Sequence, residues 1–322
     1  MEINGVINVY KEAGYTSHDV VAKLRGIFHQ KKIGHTGTLD PQAEGVLPVC
    51  LGKATKLCDL LADHDKVYEA VVHLGITTDT QDMTGAVLAE QNVQVTEEEV
   101  RFCIASFEGE QMQIPPMYSA LKVGGRKLYE LAREGKEVER KPRKVHFYQI
   151  EVLKIEFPLV SIRVHCSKGT YIRTLCHDIG ENLGCGACME KLVRTRVERF
   201  ELTDARKLCQ IEEYVRREQF SQIIVPLDQM FDRYPAIYTS ENGDRLVHNG
   251  NAFPESVLQG NLQDDMHCAD GIDRIDSAEN TGKTDSTKGK QFRVYDSRHR
   301  FVGIFREKGE VFSPVKMFYT VD

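Results

Sequence analysis

The chain has no apolar run approaching the roughly 20 residues that a helix needs to cross a bilayer, so no membrane span is expected. Its opening, Met1-Glu2-Ile3-Asn4-Gly5-Val6-Ile7-Asn8-Val9, has neither a basic leader followed by an apolar block nor a cleavage site. A cytoplasmic protein is the expectation. An even, regularly spaced cysteine set is also missing. The nine cysteines are scattered through apolar stretches, which argues against a disulfide framework. Cys185-Gly186-Ala187-Cys188, with Cys176-His177 nearby, lacks the second pair that a zinc site needs, so these read as reduced structural thiols. Leu51-Gly52-Lys53-Ala54-Thr55 lacks the leading glycine of a phosphate loop, which would fall at Leu47.

What is present is ordinary globular material. The chain has 322 residues, 41% hydrophobic and 28% charged, enough for a large core plus a smaller module. Its net charge of −6 is unevenly distributed. Glu255 to Thr287 carries eight acids against Arg274 and Lys283, which accounts for the whole imbalance. Lys122 to Lys144 carries nine Lys/Arg against four Glu. A basic strip on a neutral body is compatible with RNA binding, although a solvated helix face would look similar.

Gly5–Tyr10 reads as a strand. Ser17-His18-Asp19 offers an N-cap to a helix over Val20–Phe28, whose apolar positions recur at helical spacing. Lys66–Leu74 alternates as a strand does, and Thr96-Glu97-Glu98-Glu99 resembles a capping box that opens a helix to about Phe107. Gln149–Ile155 and Leu159–His165 read as paired strands, and Gly169–Leu183 as a helix ending at Gly184. Such mixing without regular βαβ repetition predicts an α+β body. Pro226 to Pro235 marks a boundary, giving expected domains at 1–230 and 235–322. In the second, Arg245–Phe253, Gln291–Asp296, Phe301–Arg306 and Val315–Val321 read as short strands of a small β-barrel. The acidic stretch, about 255–288, reads as a flexible insertion within it.

The most informative segment is Gly34-His35-Thr36-Gly37-Thr38-Leu39-Asp40-Pro41-Gln42-Ala43-Glu44-Gly45-Val46-Leu47-Pro48-Val49. Its glycines and prolines specify one backbone path, holding a carboxylate and an imidazole in a tight loop. From composition alone, Asp40 before Pro41 reads more readily as a turn residue.

This loop resembles the catalytic motif of the pseudouridine synthases, specifically the TruB family, which modifies the T arm of transfer RNA. Other blocks resemble that family's remaining motifs, in the same order, over roughly residues 3–200. They are Lys66-Val67-Tyr68-Glu69-Ala70 with Leu74-Gly75-Ile76-Thr77-Thr78-Asp79-Thr80-Gln81-Asp82; Pro115-Pro116-Met117-Tyr118-Ser119-Ala120-Leu121-Lys122 with Gly125-Arg126-Lys127-Leu128-Tyr129; Cys166-Ser167-Lys168-Gly169-Thr170-Tyr171-Ile172-Arg173-Thr174; and Lys191-Leu192-Val193-Arg194. Glu12, where the family usually has proline after the lysine matching Lys11, and Gln42 and Glu44 after the aspartate depart from the pattern.

The resemblance implies a pseudouridine synthase fold with a mixed central sheet and flanking helices, a basic RNA-gripping insertion at about 110–145, and a terminal PUA-like barrel. The barrel match rests on Arg293-Val294-Tyr295-Asp296 and Phe301-Val302-Gly303-Ile304. The implied activity is isomerisation of uridine to pseudouridine at position 55 of the T loop, after the base is flipped out. No redox change occurs, so no cofactor or metal is expected. The implied catalytic residues are Asp40 as nucleophilic carboxylate, Tyr68 for stacking and proton movement, and Arg173 as the guanidinium keeping a desolvated carboxylate ionised. His35, Tyr171, Leu192, Lys11 and Lys122 are the implied substrate-binding residues, with His35 filling the vacated base position. The expected partner is tRNA, with no membrane, no obligate protein partner and a monomeric state.

Two other readings compete. The catalytic subunit of a guide-RNA pseudouridylation particle shares these motifs, but commonly with extra basic extensions. An RNA-folding chaperone would bind and release tRNA with chemistry secondary, which the joint presence of Asp40, Tyr68 and Arg173 disfavours.

Overall fold

The computed structural model describes residues 2–260 and 289–319. The chain divides into two compact units, Met1–Ile224 and Val225–Asp322.

The first unit is organised by a mixed sheet. Its main elements are β1 (Gly5–Lys11), α1 (Ser17–Phe28), β2 (Glu44–Leu51), β3 (Lys66–Leu74), α2 (Glu97–Ala105), β4 (Gly109–Gln113), β5 (Arg143–Glu156), β6 (Leu159–Cys166), α3 (Ile172–Leu183), β7 (Ala187–Val197) and α4 (Leu208–Arg216). The strands lie in the order β1-β2-β7-β3-β6-β5-β4. The β3 strand alternates strictly. Lys66, Tyr68, Ala70, Val72 and Leu74 are buried, while the residues between them are only partly covered. The buried face meets Val100 and Ile104 of α2 and Leu175 and Ile179 of α3. Removing each such aliphatic side chain from water contributes roughly 1.5–3 kcal/mol. A second core joins Ile7 and Val9 of β1 and Leu47 and Val49 of β2 to Leu24 of α1 and Ile211 of α4.

The two halves of this sheet meet where β7 lies parallel to β2, in register at Val193↔Glu44 and Arg194↔Gly45. Gly45 has φ +104°, and a Cβ there would lie 2.2 Å from the Arg194 carbonyl oxygen. Only glycine fits this closest approach of the two halves. On its other edge β7 runs antiparallel to β3, setting Leu192 opposite Ala70 and Arg194 opposite Tyr68.

Several expected boundaries move for identifiable reasons. Thr16, not Ser17, caps α1. Its hydroxyl accepts from the Asp19 amide at 3.1 Å, and Asp19 accepts in return. Ser17 is instead buried, its hydroxyl accepting from the Leu39 amide at 3.0 Å. The helix expected from Gly169 begins at Ile172. Gln113 grips Tyr171 from both sides, accepting from its amide at 2.8 Å and donating to its carbonyl at 2.9 Å, which holds that residue extended. Gly184 ends the helix in the left-handed conformation, as expected. The β5 strand starts at Arg143 and β4 ends at Gln113, so both ends of the basic insertion are built into the sheet.

The second unit contains β8 (Ala236–Tyr238), α5 (Glu241–His248), β9 (Phe253–Pro254), β10 (Gln291–Tyr295), β11 (Phe301–Lys308) and β12 (Val311–Met317), with strand order β8-β10-β11-β12-β9. It is a curled, PUA-like half-barrel around Val247, Phe253, Phe292, Phe305 and Phe312. Arg245–Phe253, expected as a strand, begins as the second half of α5 and meets a strand only at Phe253. Val247 turns inward on a helix that opens at Ser240. The last strand starts at Val311 rather than Val315. Of the acidic stretch, Glu255–Val257 forms a 3-10 turn whose Val257 carbonyl accepts from the Ser240 amide at 2.8 Å. Residues 261–288 lie outside the described residues.

Candidate active site

The Gly34–Glu44 loop is pinned from beneath by groups distant in sequence. Lys11, fully buried, donates from Nζ to the carbonyls of Pro41 at 2.9 Å and of Ala43 and Glu12. Arg194 Nη2 donates to the Gly37 carbonyl at 3.3 Å, and the Gly14 amide donates to Pro41 at 3.0 Å. Gly37, at φ +105°, makes the turn that this path requires. The loop is thereby fixed through its backbone, and the Asp40 side chain is left 40% exposed.

Arg173, in the first turn of α3, reaches Asp40 from the opposite wall. Its Nε lies 2.9 Å from Asp40 Oδ2. Nη1 donates to the Thr80 carbonyl at 2.9 Å and Nη2 to the Tyr118 carbonyl at 2.8 Å, while Asp82 Oδ2 lies 3.7 Å from Nη1. Each guanidinium nitrogen therefore holds a different segment. The Arg173 side chain is 5% exposed against 40% for Asp40, so the ion pair is buried on its arginine side and open to solvent on its carboxylate side.

Asp40 and Arg173 line a cleft of about 340 Å³ together with Tyr68, Tyr171, Leu192 and Arg194. Burial pushes the Tyr68 hydroxyl above the ordinary tyrosine value, with the Arg194 guanidinium opposing that shift. The phenol is accordingly neutral at physiological pH. Tyr171 is raised too, again by burial, with the Ser119 hydroxyl opposing. Asp40 and Leu192 also line a neighbouring cleft of about 490 Å³ with Glu44, Asp82 and Glu190. A larger groove of about 650 Å³, lined by Lys23, Ile27, Leu208 and Val215, contains none of these groups.

Five of the eight site residues expected from sequence line the smaller cleft: Asp40, Tyr68, Arg173, Tyr171 and Leu192. The other three do not. Lys11, expected at the substrate, lies beneath the loop. It braces the loop from below, and burial lowers it to about 8. Lys122 is exposed on the short hairpin strand Lys122–Val123, one residue beyond Leu121, which does line the cleft. His35 sits on the strand Ile33–His35, packed edge-on against His18 at 5.3 Å between ring centroids. Its Nδ1 is buried without a hydrogen-bond partner. Of the departures from the family pattern, Glu12 pairs with Lys207 at 3.2 Å and Glu44 lies 3.9 Å from Lys191.

Burial, with His18 and Arg194 adding to it, lowers His35 to about 4. Its folded value lies below its unfolded value, so falling pH protonates the unfolded chain first. Between about pH 6.5 and pH 4 this one residue should progressively remove stability. The His35 ring proton followed by NMR should titrate near the lower end of that window, and His35→Asn should flatten the loss of melting temperature over it. A titration midpoint above pH 6 would contradict this.

Two cleft residues were not singled out from sequence. Lys66 and Arg194 are 7% and 1% exposed. Both were visible as charged residues in phase with buried apolar neighbours, Lys66 with Tyr68 and Ala70, Arg194 with Leu192. A charge on the inward face of a strand is expensive unless it is used.

The model of the TruB family pseudouridylate synthase (N terminal domain) matches residues 25–172, and that of the tRNA pseudouridylate synthase B C-terminal domain matches residues 173–232. The tRNA pseudouridine synthase B of Lachnoclostridium phytofermentans is 50% identical over 327 residues, covering 98% of this chain and all of that protein. That of Clostridium kluyveri is 41% identical over 317 residues, with the same coverage. Among solved structures, an H/ACA RNP bound to a substrate RNA containing 2′-deoxyuridine contains a similar chain, with TM-score 0.65 and 26% identity over 98% of this chain and 85% of that one.

Proposed function

The chain belongs to the TruB family of pseudouridylate synthases, and from that premise we propose that it isomerises the uridine at position 55 in the T loop of tRNA, with Asp40 as its catalytic carboxylate. The observation that carries this reading is the pairing of Asp40 with buried Arg173 at 2.9 Å in a cleft walled by Tyr68 and Leu192. The target base leaves its stack, at a cost of a few kcal/mol, and enters between the two walls. The N1–C1′ bond then breaks, the base turns, and a C5–C1′ bond forms. The C5 proton is lost and N1 gains one, so substrate and product are isomers. Asp40 supplies the nucleophile that divides this exchange into two easier steps. Tyr68 stacks on the uracil and handles the C5 proton.

The exposed Lys122–Lys127 hairpin would meet tRNA phosphates, and the terminal half-barrel would hold the acceptor stem. The protein would work as a cytoplasmic monomer without an obligate partner. Among the described residues no helix is long and apolar enough to cross a membrane. Purified protein incubated with an unmodified tRNA transcript should yield pseudouridine at position 55, mapped at nucleotide resolution. Modification elsewhere, or none, overturns the reading.

The two duties of Tyr68 separate by substitution. Tyr68→Phe keeps the ring and removes the hydroxyl. Transcript binding should stay within about threefold, while the single-turnover rate falls by about 10²–10⁴. If Phe were tolerated and only Tyr68→Leu were damaging, stacking would be the residue's whole contribution.

A further inference from the structure

Arg173 is fully engaged with Asp40, Thr80 and Tyr118, leaving little of its charge for the base. Arg194 is placed differently. It is the cross-strand neighbour of Tyr68, lines the same cleft and is 1% exposed. Its Nε donates to the Val46 carbonyl at 2.7 Å and Nη2 to the Gly37 carbonyl at 3.3 Å. Among the described residues it has no ion-pair partner. Lys66, two positions before Tyr68, lines the cleft as well, and its ammonium is held by the Ala62 and His64 carbonyls, likewise with no ion pair among the described residues. Two buried cations hydrogen-bonded to neutral oxygens carry a desolvation cost, and for Lys66 burial outweighs the opposing pull of Asp65 and Asp63, lowering it to about 8.

A neutral uridine does not explain that expense, whereas its reaction does. If Asp40 displaces the base at C1′, the N1–C1′ electron pair departs with uracil and spreads over O2 and O4. If Asp40 adds at C6, the charge falls on O4. If C2′ loses a proton to give a glycal, uracil again leaves as the anion. Every route puts negative charge on the base, beside Tyr68. We propose that Arg194 is a further catalytic residue, whose guanidinium, backed by Lys66, stabilises the anionic uracil between C–N cleavage and C–C formation. This rests on the isomerase reading of the same cleft. Fixed cations aimed at developing charge act strongly where water is excluded. The near-complete burial of Arg194 beside Tyr68 favours the base over a phosphate, which would stay nearer the solvent.

The test is single-turnover conversion of a tRNA transcript by wild type, Arg194→Gln and Arg194→Lys, with transcript binding and melting temperature measured alongside. Arg194→Gln should lower the rate by about 10²–10³ with binding changed less than about threefold. The decisive arm replaces the target uridine with 5-fluorouridine and follows loss of the starting nucleoside, which reads C–N cleavage rather than departure of the C5 proton. Fluorine makes uracil a better anion, so the penalty of Arg194→Gln should shrink at least about tenfold. Equal penalties for both bases would overturn the proposal. So would a defect confined to salt-sensitive binding, which marks a phosphate clamp, or equal loss of rate and melting temperature in both variants, which marks a structural strut. If Arg194→Gln does not fold, Arg194→Lys, which keeps the charge and loses the fork, should show the same dependence on the base at smaller amplitude. Wild type that makes no pseudouridine would overturn the isomerase reading itself, a result distinguishable from indifferent variants.

Discussion

Asp40→Asn should lower single-turnover formation of pseudouridine by about 10⁴-fold or more, the loss typical of removing a nucleophile from a concerted set of groups. Folding should survive, because the loop is not held in place by its carboxylate. Lys11, Arg194, Ser17 and Gly14 pin it through backbone atoms and would remain. The amide oxygen of asparagine can still accept from Arg173 Nε, so the guanidinium need not move. What disappears is the anionic oxygen able to bond to carbon, together with the charge facing Arg173. Transcript affinity is therefore expected within about threefold of wild type, since phosphate contacts supply most of it. A variant that converts its transcript within tenfold of the wild-type rate would remove Asp40 from the nucleophile's role.

Arg173→Ala should be the most damaging change on the opposite wall, and it should damage two quantities together. The guanidinium ties the Asp40 loop to the Thr80 carbonyl and to the Tyr118 carbonyl at the start of the basic insertion. Truncation leaves both carbonyls without that donor and leaves Asp40 and Asp82 facing one another without a cation. A fully buried pair broken in this way costs about 3–5 kcal/mol. The partial exposure of Asp40 reduces the expectation to about 2 kcal/mol, read from thermal or denaturant unfolding. The single-turnover rate should fall by about 10³, since the variant loses both charge and geometry. Arg173→Lys separates the two losses. One ammonium cannot reach three oxygens on three segments, so stability should recover only in part and rate hardly at all. Near-normal rates in Arg173→Lys would mean that charge alone matters and that the three-way tether is incidental.

Local patterns were legible where one element settles its own fate. Strict alternation marks Lys66–Leu74 from end to end, the Thr96–Glu99 capping box marks the start of α2, and Gly184 marks the end of α3. Errors arose where a distant residue decides. Nothing near Tyr171 announces that Gln113 will hold it extended, and nothing near Ser17 announces Leu39. Arg245–Phe253 is too short and too polar for alternation to be told from helical spacing, and Val247 is buried by strands far along the chain. The site divides in the same way. The motif resemblance named residues that the fold gathers in one cleft, but could not show that Lys11 lies beneath the loop, nor that Arg194 reaches the cleft. Those facts depend on which strands become neighbours.

The order of strands also determines when the site can exist. β2 and β3 follow one another closely in the chain, yet β7, more than a hundred residues later, lies between them. A growing polypeptide that ends before residue 187 already holds Asp40, Tyr68 and Arg173, but the strand that spaces the first from the second has not been made. Synthesis therefore acts as a timer. The cleft, which Leu192 and Arg194 of β7 help to line, is incomplete until that strand is inserted. The same insertion is a point of failure, since a strand excluded from that gap leaves two open sheet edges and no catalyst.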